Sequence, residues 1–178
     1  MGDPHNKKRY GELADFERIF LGLTELTSLK HFVTVSGGWA WHFLSPKNHK
    51  ELKHAHDHKD IDIFVEPKNV GTVISLLMDN DFVKVATQYD KKPNNFDFRR
   101  YEKTVRGKKI TIDFFVRTVP HRMVEGFRIV EPKFLLALYG DIHTSDKCFA
   151  VMAATKLIEQ GIDVEGKEEL MRPWTDKT

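Results

Sequence analysis

The sequence predicts a mixed α/β (α+β) fold, in which helices flank a mixed β-sheet and a small helical lobe follows at the C-terminus. Three observations support this prediction. Apolar residues recur at helical spacing in several segments. Between them lie short runs rich in Val, Ile and Phe that end at Gly, Pro or Asn, as strands do. From about residue 131 the pattern is helical only, so we expect an α/β domain at residues 1–128 and a helical lobe at 129–178 packed on it.

Glycine and proline place the elements of the first half of the chain. Apolar residues at helical spacing predict a helix over 11–29, and the apolar run 32–35 is a strand ended by two glycines. A short helix over 39–44 is stopped by the proline after it. Residues 46–59 are polar and rich in His and Lys, which predicts a loop before the next strand, at 60–65.

The second half begins with a helix and continues with three strands. Pro67 favours a helix start, and the apolar face that follows ends near Asn80. Apolar runs and alternation then predict strands, with turns at the Pro-Asn and Arg-Gly sequences between them. These strands are expected at 82–86, 96–101 and 110–116, and the helices of the lobe at 132–140, 145–160 and 165–171.

Composition narrows the class of protein. The chain has 178 residues with 28 basic and 26 acidic side chains, so its net charge of +2 gives no support to a strongly basic nucleic-acid surface. The only cysteine, Cys148, excludes an internal disulfide and fits a reducing compartment. No apolar run approaches the length of a membrane span, and the first residues lack the apolar core of a secretory signal. We therefore expect a cytoplasmic protein with no membrane partner.

Two acids on one strand are the main chemical feature. In the sequence His58-Lys59-Asp60-Ile61-Asp62, Asp60 and Asp62 project from the same strand face, because side chains two positions apart share a face. Paired carboxylates repel each other unless a positive charge lies between them, and carboxylate oxygens suit Mg²⁺. Asp113 is a third acid, in an otherwise apolar strand. If its strand lies beside that of Asp60 and Asp62, the three carboxylates form a site for one or two Mg²⁺ ions and nucleotide phosphates.

The sequence Ser36-Gly37-Gly38 lies between a predicted strand and a predicted helix. Glycines leave the backbone N–H groups unhindered, and a helix N-terminus attracts anions. This segment is therefore a candidate phosphate-binding turn.

Together, Ser-Gly-Gly-Trp-Ala, the His-Lys-Asp-Ile-Asp-Ile strand and the later isolated acid resemble the DNA polymerase β-type nucleotidyltransferase superfamily. They are most similar to small antibiotic nucleotidyltransferases of the lincosamide and aminoglycoside kind. The resemblance covers residues 32–117 and, more loosely, the helical region after 131. It implies a Mg²⁺-dependent enzyme that moves a nucleoside monophosphate from a nucleoside triphosphate, with ATP expected, to an acceptor hydroxyl on a small molecule.

The resemblance also implies roles for individual residues. Asp60 and Asp62 would be metal ligands, and Asp113 would be a third ligand or the general base. The triphosphate would be bound by Ser36, Gly37 and Gly38. His58 stands just before the acid pair, where it would orient the strand end or contact phosphate.

Other functions stay open on the sequence alone. The acceptor could be a protein side chain or the 3′ end of an RNA, as in toxin-type members of the superfamily. The chain could also be a non-catalytic nucleotide-binding relative. His54, His56 and His58 share strand parity with the two acids, which would suit a zinc-dependent hydrolase. Arg99, Arg100 and Lys147 are candidates for contacting phosphate or an acidic acceptor. The sequence indicates neither an oligomeric state nor a base preference.

Overall fold

A computed structural model describes residues 16–45, 58–90, 97–140, 151–152 and 154–159 of the chain. The helices are α1 (Phe16–Leu29), α2 (Gly37–Leu44), α3 (Val70–Asp79, preceded by a 3₁₀ turn at Pro67–Asn69) and α4 (Pro132–Gly140), and residues 151–152 and 154–159 are also helical. The strands are β1 (Thr34–Ser36), β2 (Asp60–Val65), β3 (Val83–Val85), β4 (Arg99–Val105), β5 (Lys108–Val116), β6 (His121–Val124) and β7 (Phe127–Val130). The predicted helix at 165–171 lies outside the described residues.

The seven strands form one mixed sheet in the order β3-β4-β5-β2-β1-β7-β6. Two pairs are parallel, β2 with β5 and β1 with β7, and the other four are antiparallel. The predicted mixed sheet with flanking helices is therefore confirmed. Within the described residues no helix has the length and apolar character needed to cross a membrane.

The β6–β7 hairpin was not predicted. Its tight turn uses Glu125 and Gly126, both with positive φ, whereas the usual sequence signal for such a turn is Asn-Gly or Asp-Gly. β7 pairs with β1 and covers residues 127–130, so the predicted domain boundary falls inside this strand. The division into two domains stays a prediction.

Alternation along the strands separates an apolar face of the sheet from a polar face. Ile61, Ile63 and Ile112 are buried on the apolar face, at 2% exposure or less. Lys103 lies on this face too and forms an ion pair with Glu25 of α1. It also donates a hydrogen bond to the backbone carbonyl of the residue after α3 (3.1 Å). Since α1 and α3 lie against the apolar face, the acids of β2 and β5 are on the opposite face.

α2 is held between α1 and α4. Trp39 of α2 is fully buried and lies against the backbone of Gly22 in α1. Trp41 donates a hydrogen bond from Nε1 to the hydroxyl of Tyr139 in α4 (3.2 Å). Both indoles therefore act as packing residues that hold α2 in place.

Two glycine-to-alanine substitutions are expected to change stability in opposite directions. A Cβ on Gly22 would overlap the Trp39 ring, so Gly22→Ala should lower the free energy of unfolding by about 2 kcal/mol through overpacking. Gly71 in α3 has no atom near its Cβ position, so Gly71→Ala should raise it by about 0.5 kcal/mol through helix propensity. Urea unfolding measures both, and an unchanged or higher free energy of unfolding in Gly22→Ala would contradict the packing assigned to Gly22.

Candidate active site

Four polar residues form one row across the polar face of the sheet. Strand register places Ser36 opposite Asp62, Asp62 opposite Asp113, and Asp113 opposite Arg100. Neighbouring strands lie about 5 Å apart, so each side chain in the row is within reach of the next. Asp60 lies two positions from Asp62 on the same face. The structure thus brings together the three acids that the sequence singled out.

Asp60 begins a second row, which runs parallel to the first. It lies opposite Thr111 in β5, and Thr111 lies opposite Glu102 in β4. Lys109 forms an ion pair with Glu102 (3.5 Å), which partly balances this fourth carboxylate. We name the set Asp60, Asp62 and Asp113 the carboxylate cluster.

Arg100 places a positive charge at the carboxylate cluster. Its Nε and Nη2 donate hydrogen bonds to Oδ1 and Oδ2 of Asp113, at 2.7 and 2.8 Å. Nη2 also lies 3.9 Å from Oδ2 of Asp60. Asp113 is only 7% exposed, and a buried carboxylate requires such a partner. The hydrogen bonds to Asp113 raise the pKa of Arg100 further above its usual value, so the guanidinium stays charged.

Gly37 brings the backbone of α2 against Asp62. Its φ of +59° is in the left-handed region, and a Cβ added there would overlap Oδ2 of Asp62. Both features require glycine. The helix was predicted to begin at Trp39 but begins at Gly37. It therefore follows β1 directly, with no separate turn residues between them. Ser36 and Gly38 are buried beside it.

His58 packs into the fold just before β2. It is 4% exposed and contacts Trp39 edge to face, with ring centroids 4.7 Å apart. Its Nε2 lies 2.9 Å from Nδ1 of His42 in α2, at hydrogen-bond distance. These contacts join the start of β2 to α2, and the role of His58, in orienting the strand end or contacting phosphate, stays a prediction. His54 and His56, on which the zinc alternative depends together with His58, lie outside the described residues, as does Lys147.

The donor set of the carboxylate cluster fits Mg²⁺, which prefers carboxylate oxygens. The Arg100 guanidinium, which is itself a cation, already contacts two of the three acids. In the part of the chain that the structure describes, however, no group of three or more His, Cys, Asp or Glu side chains is arranged to hold a metal ion. Both oxygens of Asp113 bind Arg100 instead. The acids therefore suit the ion in their chemistry and share one face of the sheet, but they are not arranged as its ligands in this structure, where Arg100 holds one of them.

Comparison with known proteins gives matches in structure only. No protein-family model and no curated protein sequence matches the chain. Two structures of the antibiotic-resistance factor ANT(2'')-Ia, an aminoglycoside nucleotidyltransferase, are similar at 11% identity. One has a TM-score of 0.52 and covers 85% of this chain and 90% of the other. The second, in complex with adenylyl-2''-tobramycin, has a TM-score of 0.50 and covers 83% and 94%.

The chain has a nucleotidyltransferase fold. A Megavirus polyadenylate synthase shares this fold with a TM-score of 0.51 at 15% identity, covering 91% of this chain and 35% of the viral protein. The resemblance to polymerase β-type and antibiotic nucleotidyltransferases is therefore confirmed at the level of the fold. At these identities the fold carries no residue roles, so the roles of the site residues stay predictions.

Sequence reasoning missed two contacts on this nucleotidyltransferase fold. Arg100 was considered only as a candidate contact for phosphate or an acidic acceptor, because its pairing with Asp113 depends on the register of β4 against β5. His42 was not considered, although it contacts His58. The parity of Arg100 with Glu102 along β4 was the one available signal that Arg100 shares a face with polar groups. Arg99 faces the other side, over the ring of Phe114.

Proposed function

We propose that the chain is a cytoplasmic, Mg²⁺-dependent nucleotidyltransferase that moves a nucleoside monophosphate from a nucleoside triphosphate to an acceptor hydroxyl. ATP is the proposed donor and a small molecule the proposed acceptor. The observation that carries the proposal is the row in which Asp62 lies directly opposite Asp113, with Asp60 on the same face and Gly37 against Asp62. The nucleotidyltransferase fold supports the reaction class. ANT(2'')-Ia, bound to adenylyl-2''-tobramycin, supports the donor and the acceptor class by analogy.

Asp60 and Asp62 would hold Mg²⁺, with Asp113 as a third ligand or as the general base. The ion would supply positive charge to the triphosphate and help lower the pKa of the acceptor hydroxyl. Gly37 and Gly38 present the backbone at the start of α2, where N–H groups favour phosphate oxygens. Ser36 lies beside Asp62 in the row and would contact the same phosphates.

In the proposed reaction, the acceptor oxygen attacks the α-phosphorus in line with the leaving group. A new oxygen–phosphorus bond forms, the bond from the α-phosphorus to the bridging oxygen breaks, and pyrophosphate leaves. The proton of the acceptor hydroxyl is lost to the general base. Since phosphoryl transfer needs little covalent help from the protein, positioning and charge would provide most of the rate.

The direct test follows the label of two ATP preparations, one labelled at the α- and one at the γ-phosphate. With Mg²⁺ and a panel of aminoglycosides and lincosamides, the α label should enter a product and the γ label should appear in pyrophosphate. Release of the γ label as inorganic phosphate alone would indicate a hydrolase and contradict the proposal. The same panel with GTP, CTP and UTP measures base preference.

An RNA 3′ end is the second candidate acceptor, because the polyadenylate synthase shares the fold. The chain spans about a third of that protein, so this likeness reaches only part of it. RNA oligonucleotides ending in a 3′-hydroxyl or a 3′-deoxy sugar separate the two candidates. Extension of the hydroxyl-terminated RNA alone, with no product on the small molecules, would favour the RNA acceptor.

A further inference from the structure

Arg100 lies in contact with two acids of the carboxylate cluster. The carboxylate cluster carries three negative charges, and Arg100 contributes one positive charge in contact with two of them. The positive charge of Arg100 makes the cluster less attractive to a divalent cation than the three carboxylates alone would be.

Arg100 is held unequally by its two carboxylates. Its bidentate contact with Asp113 uses two of the five N–H donors of the guanidinium, and such pairs are strong and geometrically specific. The approach to Asp60 is longer, at 3.9 Å, and is an ion pair without a hydrogen bond. The Asp60 contact is therefore the one that opens first, while the other donors remain able to bind a phosphate oxygen.

We infer that Arg100 is the resident counter-cation of the carboxylate cluster: it competes with a divalent cation for Asp60 and so makes metal binding depend on the triphosphate that accompanies the metal. The inference rests on the proposed function, because it takes the cluster as the metal site of nucleotide transfer. Arg100 acts on the metal through Asp60 and Asp113, and on the nucleotide through its remaining N–H donors. Its charge lowers metal affinity in the free protein and favours the anionic nucleotide.

Removing the charge should therefore have effects of opposite sign on two ligands. Arg100→Met is expected to bind Mn²⁺ alone about tenfold more tightly than the wild type, and a non-hydrolysable ATP analogue with Mg²⁺ about tenfold more weakly, within the usual range of coupling between two ligands. Electron paramagnetic resonance measures free Mn²⁺, and calorimetry measures the nucleotide. A purely structural role for Arg100 would weaken both ligands.

Arg99→Met is the matched control. Arg99 is the neighbouring residue of the same strand, and its side chain pairs with Asp97 and lies over the Phe114 ring on the opposite face. It should leave both affinities unchanged. Arg100→Lys keeps the charge and should retain the weak Mn²⁺ binding of the wild type. Arg100→Gln removes the charge but keeps a donor for Asp113, so it should repeat the effects of Arg100→Met if that variant does not fold.

Equal or weaker Mn²⁺ binding by the charge-removing variants would overturn the inference. If the wild type still transfers nucleotide in that case, the proposed function stands and only the role of Arg100 falls. If the wild type transfers none but the opposite shifts are measured, the counter-cation role stands and the proposed function falls. Absence of Mn²⁺ binding in every variant would overturn the inference as well.

Discussion

Gly37→Ala is expected to reduce nucleotidyl transfer about 100-fold, since a displacement of about 1 Å at a reacting centre can have an effect of that size. The added Cβ would overlap Oδ2 of Asp62, so the carboxylate would have to leave its place opposite Asp113. The positive φ adds a stability loss of about 1–2 kcal/mol. Initial rates of transfer from labelled ATP, with urea unfolding of the same preparation, measure the two effects separately.

Gly126→Ala separates backbone strain from the displacement of Asp62. Gly126 also has a positive φ, +82°, but no atom lies within 4 Å of its Cβ position. The control should therefore lose a similar amount of stability and retain its activity. Comparable losses of activity in both variants would mean that general destabilisation, rather than the Gly37–Asp62 approach, explains the effect.

Asp62→Asn is expected to lower the transfer rate about 10³-fold, because a ligand that supports several kcal/mol of transition-state charge stabilisation is lost. Asp62 is central in the row, with Ser36 on one side and Asp113 on the other. The amide keeps the shape of the side chain, so the fold should survive. Steady-state rates with Mg²⁺ and ATP, and calorimetric binding of the nucleotide, provide the measurement.

Asp81→Asn is the control for this substitution. Asp81 is an exposed acid with a φ of +67°, a conformation that asparagine adopts as readily as aspartate. Asp81→Asn should therefore keep the transfer rate and the nucleotide affinity of the wild type. Full activity in Asp62→Asn, or an equal loss in Asp81→Asn, would remove the carboxylate cluster from the mechanism.

Local sequence patterns predicted the parts of the fold that depend on neighbouring residues. Asp60 and Asp62 share a face because strands have a period of two, and that holds whatever the strand pairs with. The strand at 60–65 has the predicted limits for the same reason. The helix after Pro67 also follows from spacing alone. Of these elements, the strand at 60–65 bears two of the three acids of the site.

Contacts between strands that are distant in the sequence could not be predicted from local sequence patterns. The position of Asp113 beside Asp62 required β2 and β5 to be neighbours, which the sequence could pose only as a condition. The contact of Arg100 with Asp113 required the register of a third strand. The β6–β7 hairpin was missed because Glu125-Gly126 is an atypical turn sequence. The close approach of Gly37 to Asp62 depends on the same tertiary packing.

The parallel pairing of β2 with β5, and of β1 with β7, has a consequence for biosynthesis. Parallel neighbours need long connections, and contacts between distant segments form slowly. A ribosome-bound chain that ends before β5 contains Asp60 and Asp62 but lacks Asp113, and it lacks the strand that pairs with β4 and places Arg100 beside them. The nascent polypeptide therefore cannot assemble the carboxylate cluster until its central strands have emerged and paired into a sheet.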